Sequence, residues 1–216
     1  MIKDFLTNPA AIEEKSMQII EEFLGKRVFP PGEGTVIRRI IHSTADFDYA
    51  DLTIFSPGAL EAAQEALLSG KCRIVTDTQM IVAGVNKAVL ASLGGSIECF
   101  VGSESVREMA AAAGITRSMA NIRYAARESG SGEIYIIGNA PTALLEILNL
   151  ADEDRLNPSL IIGVPVGFVG AAESKEELLE RNIPFISTRG RKGGSTVAVA
   201  ILNAILYMLQ EKAGQR

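Results

Sequence analysis

The sequence predicts an α/β fold: one domain built on a mainly parallel central sheet of about five strands, covered by helices on both faces. Two observations predict it. Five short apolar runs, at 72–75, 97–101, 134–137, 160–164 and 185–187, are continuous rather than alternating, as strands buried on both faces are. Each run precedes a helical pattern, clearest at 105–113, 141–150, 174–181 and 195–212, and strand–helix alternation of this kind builds parallel sheets with crossover helices. A length of 216 residues and an apolar fraction of 47% suit a single core of ordinary size. No internal repeat, low-complexity tract or linker divides the chain.

The elements before the first of these runs follow in order. Asn8 and Pro9 fit the N-cap and first position of a helix over 9–24, with Ile12, Ile19, Ile20, Phe23 and Leu24 expected inward and Gly25 as the stop. A Pro- and Gly-rich link at 29–34 leads into TVIRRIIHST at 35–44. Read as a strand, this segment puts an arginine on each face, so neither face is apolar. Read as a helix, it gathers Val36, Ile37, Ile40, Ile41 and Thr44 into one stripe and places Arg38, Arg39 and His42 on the opposite side. The helix is the consistent reading. The run at 52–55 fits an added strand, after which Ser56 and Pro57 open a helix that ends near Gly70.

Composition narrows the function. The net charge of −5 and pI of about 5.1 argue against general binding to nucleic acid or anionic membrane, so an acidic ligand must be met by local positive charge. MIKDFLTNP lacks the apolar run of a signal peptide, and the apolar stretch 197–209 is short and broken by Asn203, so a cytoplasmic protein without a membrane span is expected. Cys72 and Cys99 form no CxxC pair and fall in apolar runs, which reads as two buried free thiols and no metal site.

His42 is the one histidine of the chain, and so the one side chain whose ordinary pKa lies near neutrality. It reads either as a cap in the last turn of its helix or as a proton-transfer group beside two arginines. Parallel sheets bind ligands at the carboxyl ends of their strands. The loops expected there are rich in Gly, Pro and small polar residues: 76–78, 102–103, 138–142, 165–170 and 188–195, the last carrying Arg189, Arg191 and Lys192. Such loops allow close approach of backbone to ligand, and helix N-termini attract anions. The 189–195 loop lacks the spacing GxxxxGK[ST], and no GxGxxG follows a strand, so carboxylate or phosphate fits it without specifying a nucleotide.

GNAPTALLEIL at 138–148, GVPVGFVGAAESKEELLE at 163–180, TRGRKGGS at 188–195, ITRSMA at 115–120 and the RxIH arrangement at 39–42 together resemble the precorrin-8X methylmutases of cobalamin biosynthesis, including the cobalt-precorrin-8 form. The resemblance spans nearly the whole chain. It implies an isomerase that shifts a methyl group from C11 to C12 of a corrin-like tetrapyrrole, giving hydrogenobyrinate or its cobalt counterpart cobyrinate, with no cofactor and no external methyl donor. It further implies His42 as proton donor and acceptor, with Ser16 and Arg39 as substrate contacts. Arg117, Asn139 and Arg191 are the further expected contacts, since a polycarboxylate substrate needs concentrated donors and cations, with Arg189 and Lys192 beside them. The family is dimeric with its site near the subunit interface, so a homodimer is expected; the sequence itself shows surplus apolar helix surface. Two other readings stand beside it: an anion-binding transferase using the 189–195 loop, and a non-catalytic tetrapyrrole carrier with His42 as axial ligand.

Overall fold

A computed structural model of the protein describes residues 6–127 and 132–214, so the first five residues of the segment read for a signal peptide lie outside it. In chain order the elements are α1 (Pro9–Leu24), α2 (Glu33–Thr44), α3 (Tyr49–Leu52), β1 (Thr53–Phe55), α4 (Ala59–Leu68), β2 (Arg73–Thr76), α5 (Gln79–Gly84), α6 (Lys87–Ser92), β3 (Ser96–Glu98), α7 (Glu104–Ala113), α8 (Arg117–Ala126), β4 (Ile134–Ile137), α9 (Pro141–Asp152), β5 (Leu160–Gly163), α10 (Ala171–Leu179), β6 (Phe185–Thr188) and α11 (Ser195–Gly214). The strands form one 6-stranded sheet in the order β1-β6-β5-β4-β2-β3. The five strands of the expected sheet run parallel, and the added strand β1 closes one edge antiparallel to β6, with Ile54 opposite Ser187.

Strand alternation sorts the core into two layers. Ile74, Ile134, Ile136, Leu160, Ile162 and Ile186 face α2, α4, α5, α6 and α11. Val75, Tyr135, Ile137, Ile161 and Phe185 face α8, α9 and α10. Both faces are therefore apolar, which is why the strands read as unbroken apolar runs. The chain leaves β2 toward β3 on one side and returns to β4 on the other, so the strand order reverses between β2 and β4. The crevice above such a reversal is the expected ligand position.

The structure corrects several local expectations. In α1, Ile20 and Leu24 are buried, but Ile12, Ile19 and Phe23 are 42%, 48% and 52% exposed, because the helix packs its narrower stripe on α2 and leaves the other outward. Helix α4 starts after Gly58, whose φ is 75°, and not on a Ser56 cap; the Ser56 hydroxyl accepts the Phe185 amide at 2.8 Å instead. The run at 97–101 is strand only to Glu98, leaving Cys99 half-buried beyond it rather than in the core. Helices α5 and α6, six residues each, give too little apolar period to detect, and α8 is a further helix that the sequence pattern does not single out. Among the described residues no helix is long and apolar enough to cross a membrane.

Candidate active site

The carboxyl ends of β2, β4, β5 and β6 meet the N-termini of α9 and α11, and the contact is close. A Cβ on Gly138 would lie 2.7 Å from the Ser195 Cα and 2.9 Å from its amide nitrogen, so the loop after β4 can touch the start of α11 only with glycine there. A Cβ on Gly193 would strike the Val164 carbonyl in the same way. These two approaches explain Gly138 and Gly193 without reference to a ligand. Thr78 Oγ and Ser195 Oγ share a hydrogen bond of 3.0 Å across the same junction.

Asp77 builds the turn after β4. Its carboxylate, 2% exposed, accepts the backbone amides of Gly138, Asn139 and Ala140 at 3.0, 2.8 and 2.7 Å. Burial pushes its pKa up while those three amides pull it back. The anchored turn leaves Asn139 exposed at the crest. In the sequence Asp77 falls in the 76–78 loop of this crest with no role evident from its neighbours. A lone acid directly after an apolar strand, on an edge otherwise supplied with cations, was the available signal. Asn121 of α8, fully buried, is a second residue that reading missed: it accepts the Phe100 amide at 2.7 Å and donates to the Thr76 carbonyl at 3.2 Å. It fixes α8, whose N-cap Thr116 bonds Thr142 at 3.0 Å, so Arg117 stands exposed at the helix start beside the 138–142 loop.

The loop after β6 is tied down at several points. Its Arg189 amide donates to the Leu52 carbonyl and its Gly194 amide to the Val164 carbonyl, each at 2.8 Å. Lys192 donates to Asp46 and Asp48 at 2.6 and 2.7 Å, and the two carboxylates raise its pKa. Lys192 was expected to meet an acidic ligand. The structure uses its charge to fasten the loop to the segment after α2, leaving Arg189 and Arg191 exposed, with the Arg191 guanidinium 5.8 Å above the ring of Phe168.

That fastening brings the end of α2 to the crest, and His42 is in its last turn, partly exposed. The helix end is closed without it: the Ser43 and Thr44 hydroxyls both donate to the Ile40 carbonyl, at 2.9 and 2.8 Å, and Ala45 adopts the left-handed cap with φ of 53°. Among the described residues the imidazole has no hydrogen-bond partner, so it lies in the last turn of α2 without making a capping hydrogen bond. Arg39 lies further along α2, with its guanidinium 5.3 Å from the Tyr207 ring centre and 3.5 Å from Glu13 of α1. Ser16, one turn beyond Glu13, donates its hydroxyl to the Ile12 carbonyl at 2.8 Å. The expected residues thus fall into two groups, Ser16, Arg39 and His42 along α1 and α2, and Arg117, Asn139 and Arg191 on the crest. The Lys192 ion pairs and the bond from Tyr49 Oη to the Gly193 carbonyl, 3.4 Å, join the two sides.

The family model for precorrin-8X methylmutase matches residues 11–208. The chain belongs to the precorrin-8X methylmutase family. It is 48% identical over 212 residues to the cobalt-precorrin-8 methylmutase of Leptospira interrogans, covering 95% of this chain and 96% of that one. It is 45% identical over 203 residues to the cobalt-precorrin-8 methylmutase of Priestia megaterium, covering 94% and 89%. A crystal structure described as precorrin-8x methyl mutase from Thermus thermophilus superposes with a TM-score of 0.85 at 39% identity, covering 94% of this chain and 98% of that one. The enzyme class is therefore that of an isomerase of cobalamin biosynthesis, an intramolecular methyl transferase, as the sequence resemblance implied. The transferase and carrier readings give way to it.

Proposed function

We propose that the tetrapyrrole binds across the crest and the adjoining face of α2, where His42 protonates the macrocycle while Ser16, Arg39, Arg117, Asn139 and Arg191 hold its carboxylate arms. The observation that carries this reading is the joining of the α2 end to the 188–194 loop. Lys192, Asp46 and Asp48 tie the segment that follows His42 to the loop that carries Arg189 and Arg191, which supports a site shared between the α2 end and the crest. Anionic arms find positive ends and guanidinium forks there. The methyl shift breaks the C11–methyl bond as the C12–methyl bond forms, with the conjugated electrons redistributed inside the ring and no atom gained or lost. A proton lent by imidazolium to the ring draws electron density from the migrating centre and returns to His42 afterwards. Arg39 exchanges its long Glu13 contact for a substrate carboxylate.

One outward stripe of α1 supports a homodimer with its site near the interface. Ile12, Ile19 and Phe23 fall with Ser16 on one outward stripe of α1, and Leu6 and Val28 extend it, 46% and 93% exposed. A second copy covering this stripe would close the α1 side of the site. A cytoplasmic location fits two cysteines that are free, with burial pushing the Cys72 thiol up to about 11.

Mixing the protein with precorrin-8X, with no other addition, tests the reading. The visible spectrum should change to that of the rearranged macrocycle and the mass of the pigment should stay constant. Binding without spectral change would support a carrier, and stabilisation only by a phosphate donor would support a transferase; either would overturn the proposal.

A further inference from the structure

Among the described residues, Lys175 is the one buried cation that the proposed mechanism leaves unused. It lies in α10, 1% exposed, under the loop that follows β6. Its Nζ donates to Thr188 Oγ at 3.2 Å and to the Lys192 carbonyl at 2.8 Å. No carboxylate among the described residues answers its charge.

The groups around it are cationic, neutral or already engaged. From β6 comes only the Thr188 hydroxyl. From the loop come Arg189 and Arg191, both exposed, and Lys192, whose ammonium is held by Asp46 and Asp48. From α9, Glu146 pairs with Arg123 and Asp152 with Arg181. From α3, the Tyr49 hydroxyl bonds the Gly193 carbonyl. On α10 itself Glu173, Glu176 and Glu177 point to solvent.

Architecture does not require this ammonium. The Lys192 carbonyl already accepts the Thr188 hydroxyl at 2.8 Å. The loop is also held by Arg189, Gly194 and the Lys192 ion pairs. A methionine would fill the same space and leave no polar group unpaired. An unpaired buried charge is unfavourable. An incoming anion would offset that cost.

We propose that Lys175 is a positioning residue for the macrocycle: its buried ammonium, beneath the 188–192 turn, supplies the unscreened positive charge that draws one carboxylate arm onto that turn. This rests on the reading of the crest as the tetrapyrrole site. Charge beneath the loop escapes the salt screening that weakens exposed Arg189 and Arg191. It also makes binding sensitive to pH. Desolvation lowers the Lys175 pKa to about 8, and a bound carboxylate must raise it again, so above that pH the complex takes up a proton.

Titration calorimetry of the full-length enzyme with hydrogenobyrinate, in buffers of different ionisation enthalpy, tests the inference. At about pH 8.5 binding should take up roughly half a proton or more, and affinity should fall on the order of tenfold from about pH 7 to about pH 9.5. Lys175→Met should bind on the order of tenfold more weakly at neutral pH, without that proton uptake. Wild-type affinity that is flat over this range, or a Lys175→Met variant with unchanged affinity and proton uptake, would overturn the proposal. Should the variant fail to fold, the wild-type proton uptake alone decides. Turnover of precorrin-8X by the wild type separates the two levels: flat binding in an active enzyme removes only Lys175, whereas an inactive enzyme that binds no macrocycle removes the site reading and this inference with it.

Discussion

Replacing Asp77 removes the acceptor for three backbone amides, and the cost can be worked from their surroundings. Gly138 and Ala140 are buried and Asn139 is exposed, so in Asp77→Ala water can satisfy only the Asn139 amide. A buried amide left without a partner costs about 1–3 kcal/mol, which gives roughly 2–6 kcal/mol for two. Loss of the buried carboxylate relieves its own desolvation, the larger influence on its pKa, so part of that cost is offset. The expected net destabilisation is about 2–4 kcal/mol. In Asp77→Asn the amide oxygen can keep the Asn139 and Ala140 bonds, which share Oδ2, but its NH₂ then faces the Gly138 amide. One donor is stranded against another, for about 1–3 kcal/mol. Urea unfolding followed by circular dichroism measures both values, since the chain has no Trp. Product affinity should fall with the Ala variant as the turn relaxes and Asn139 loses its place. An Asp77→Ala protein within about 1 kcal/mol of the wild type would show that the turn holds itself, and would refute this account.

His42→Ala should lower turnover by about 10²- to 10⁴-fold while leaving most product affinity, and His42→Asn should not rescue it if the ring proton is transferred; single-turnover spectra compare the three proteins. Arg39→Ala should weaken product binding by about 1–3 kcal/mol with the fold intact, and Arg39→Lys should restore it only in part because the planar fork is lost; calorimetry reads both. Lys175 should also mark stability: the unfolded chain keeps its proton to the ordinary value of 10.5 and the folded chain gives it up near 8, so the unfolded state binds more protons between those values and this group makes stability rise with pH across them. Urea unfolding at about pH 8 and about pH 10 should show that contribution in the wild type and not in Lys175→Met. Ile19→Asp should leave each subunit folded and shift sedimentation toward the monomer, since Ile19 is half exposed on the α1 stripe.

The sheet and its partner helices were legible because burial on both faces writes itself into strands such as IYII and LIIG, and because α9 and α11 carry apolar repeats too long to mistake. The orientation of α1 was not. Its apolar residues Ile12, Ile19, Ile20, Phe23 and Leu24 cover two adjacent stripes, and periodicity cannot say which one the same chain buries. The site was legible as a set of loops and one histidine, not as a circuit. Asp77 and Lys192 have the same chemistry on paper whether they meet a ligand or the chain, and only the fold shows that one carries the turn at 138–140 and the other binds Asp46 and Asp48.

This use of charge bears on how a protein of net charge −5 receives a polycarboxylate. Arg38 is paired with Glu21, Arg39 with Glu13, and Lys192 with two aspartates, so fewer cations are free than the sequence suggests. These pairs are partly exposed and individually weak, so in the proposed site a carboxylate arm would displace the Glu13 contact at little cost. Arg117, Arg189 and Arg191 stand exposed at the crest, where salt screens them. In the proposed site, attraction at a distance therefore depends on ionic strength, while discrimination at contact depends on buried groups: the Asp77 carboxylate that holds the 138–140 turn and the ammonium of Lys175. The arrangement separates capture from placement, and a methyl shift between adjacent ring carbons depends on placement.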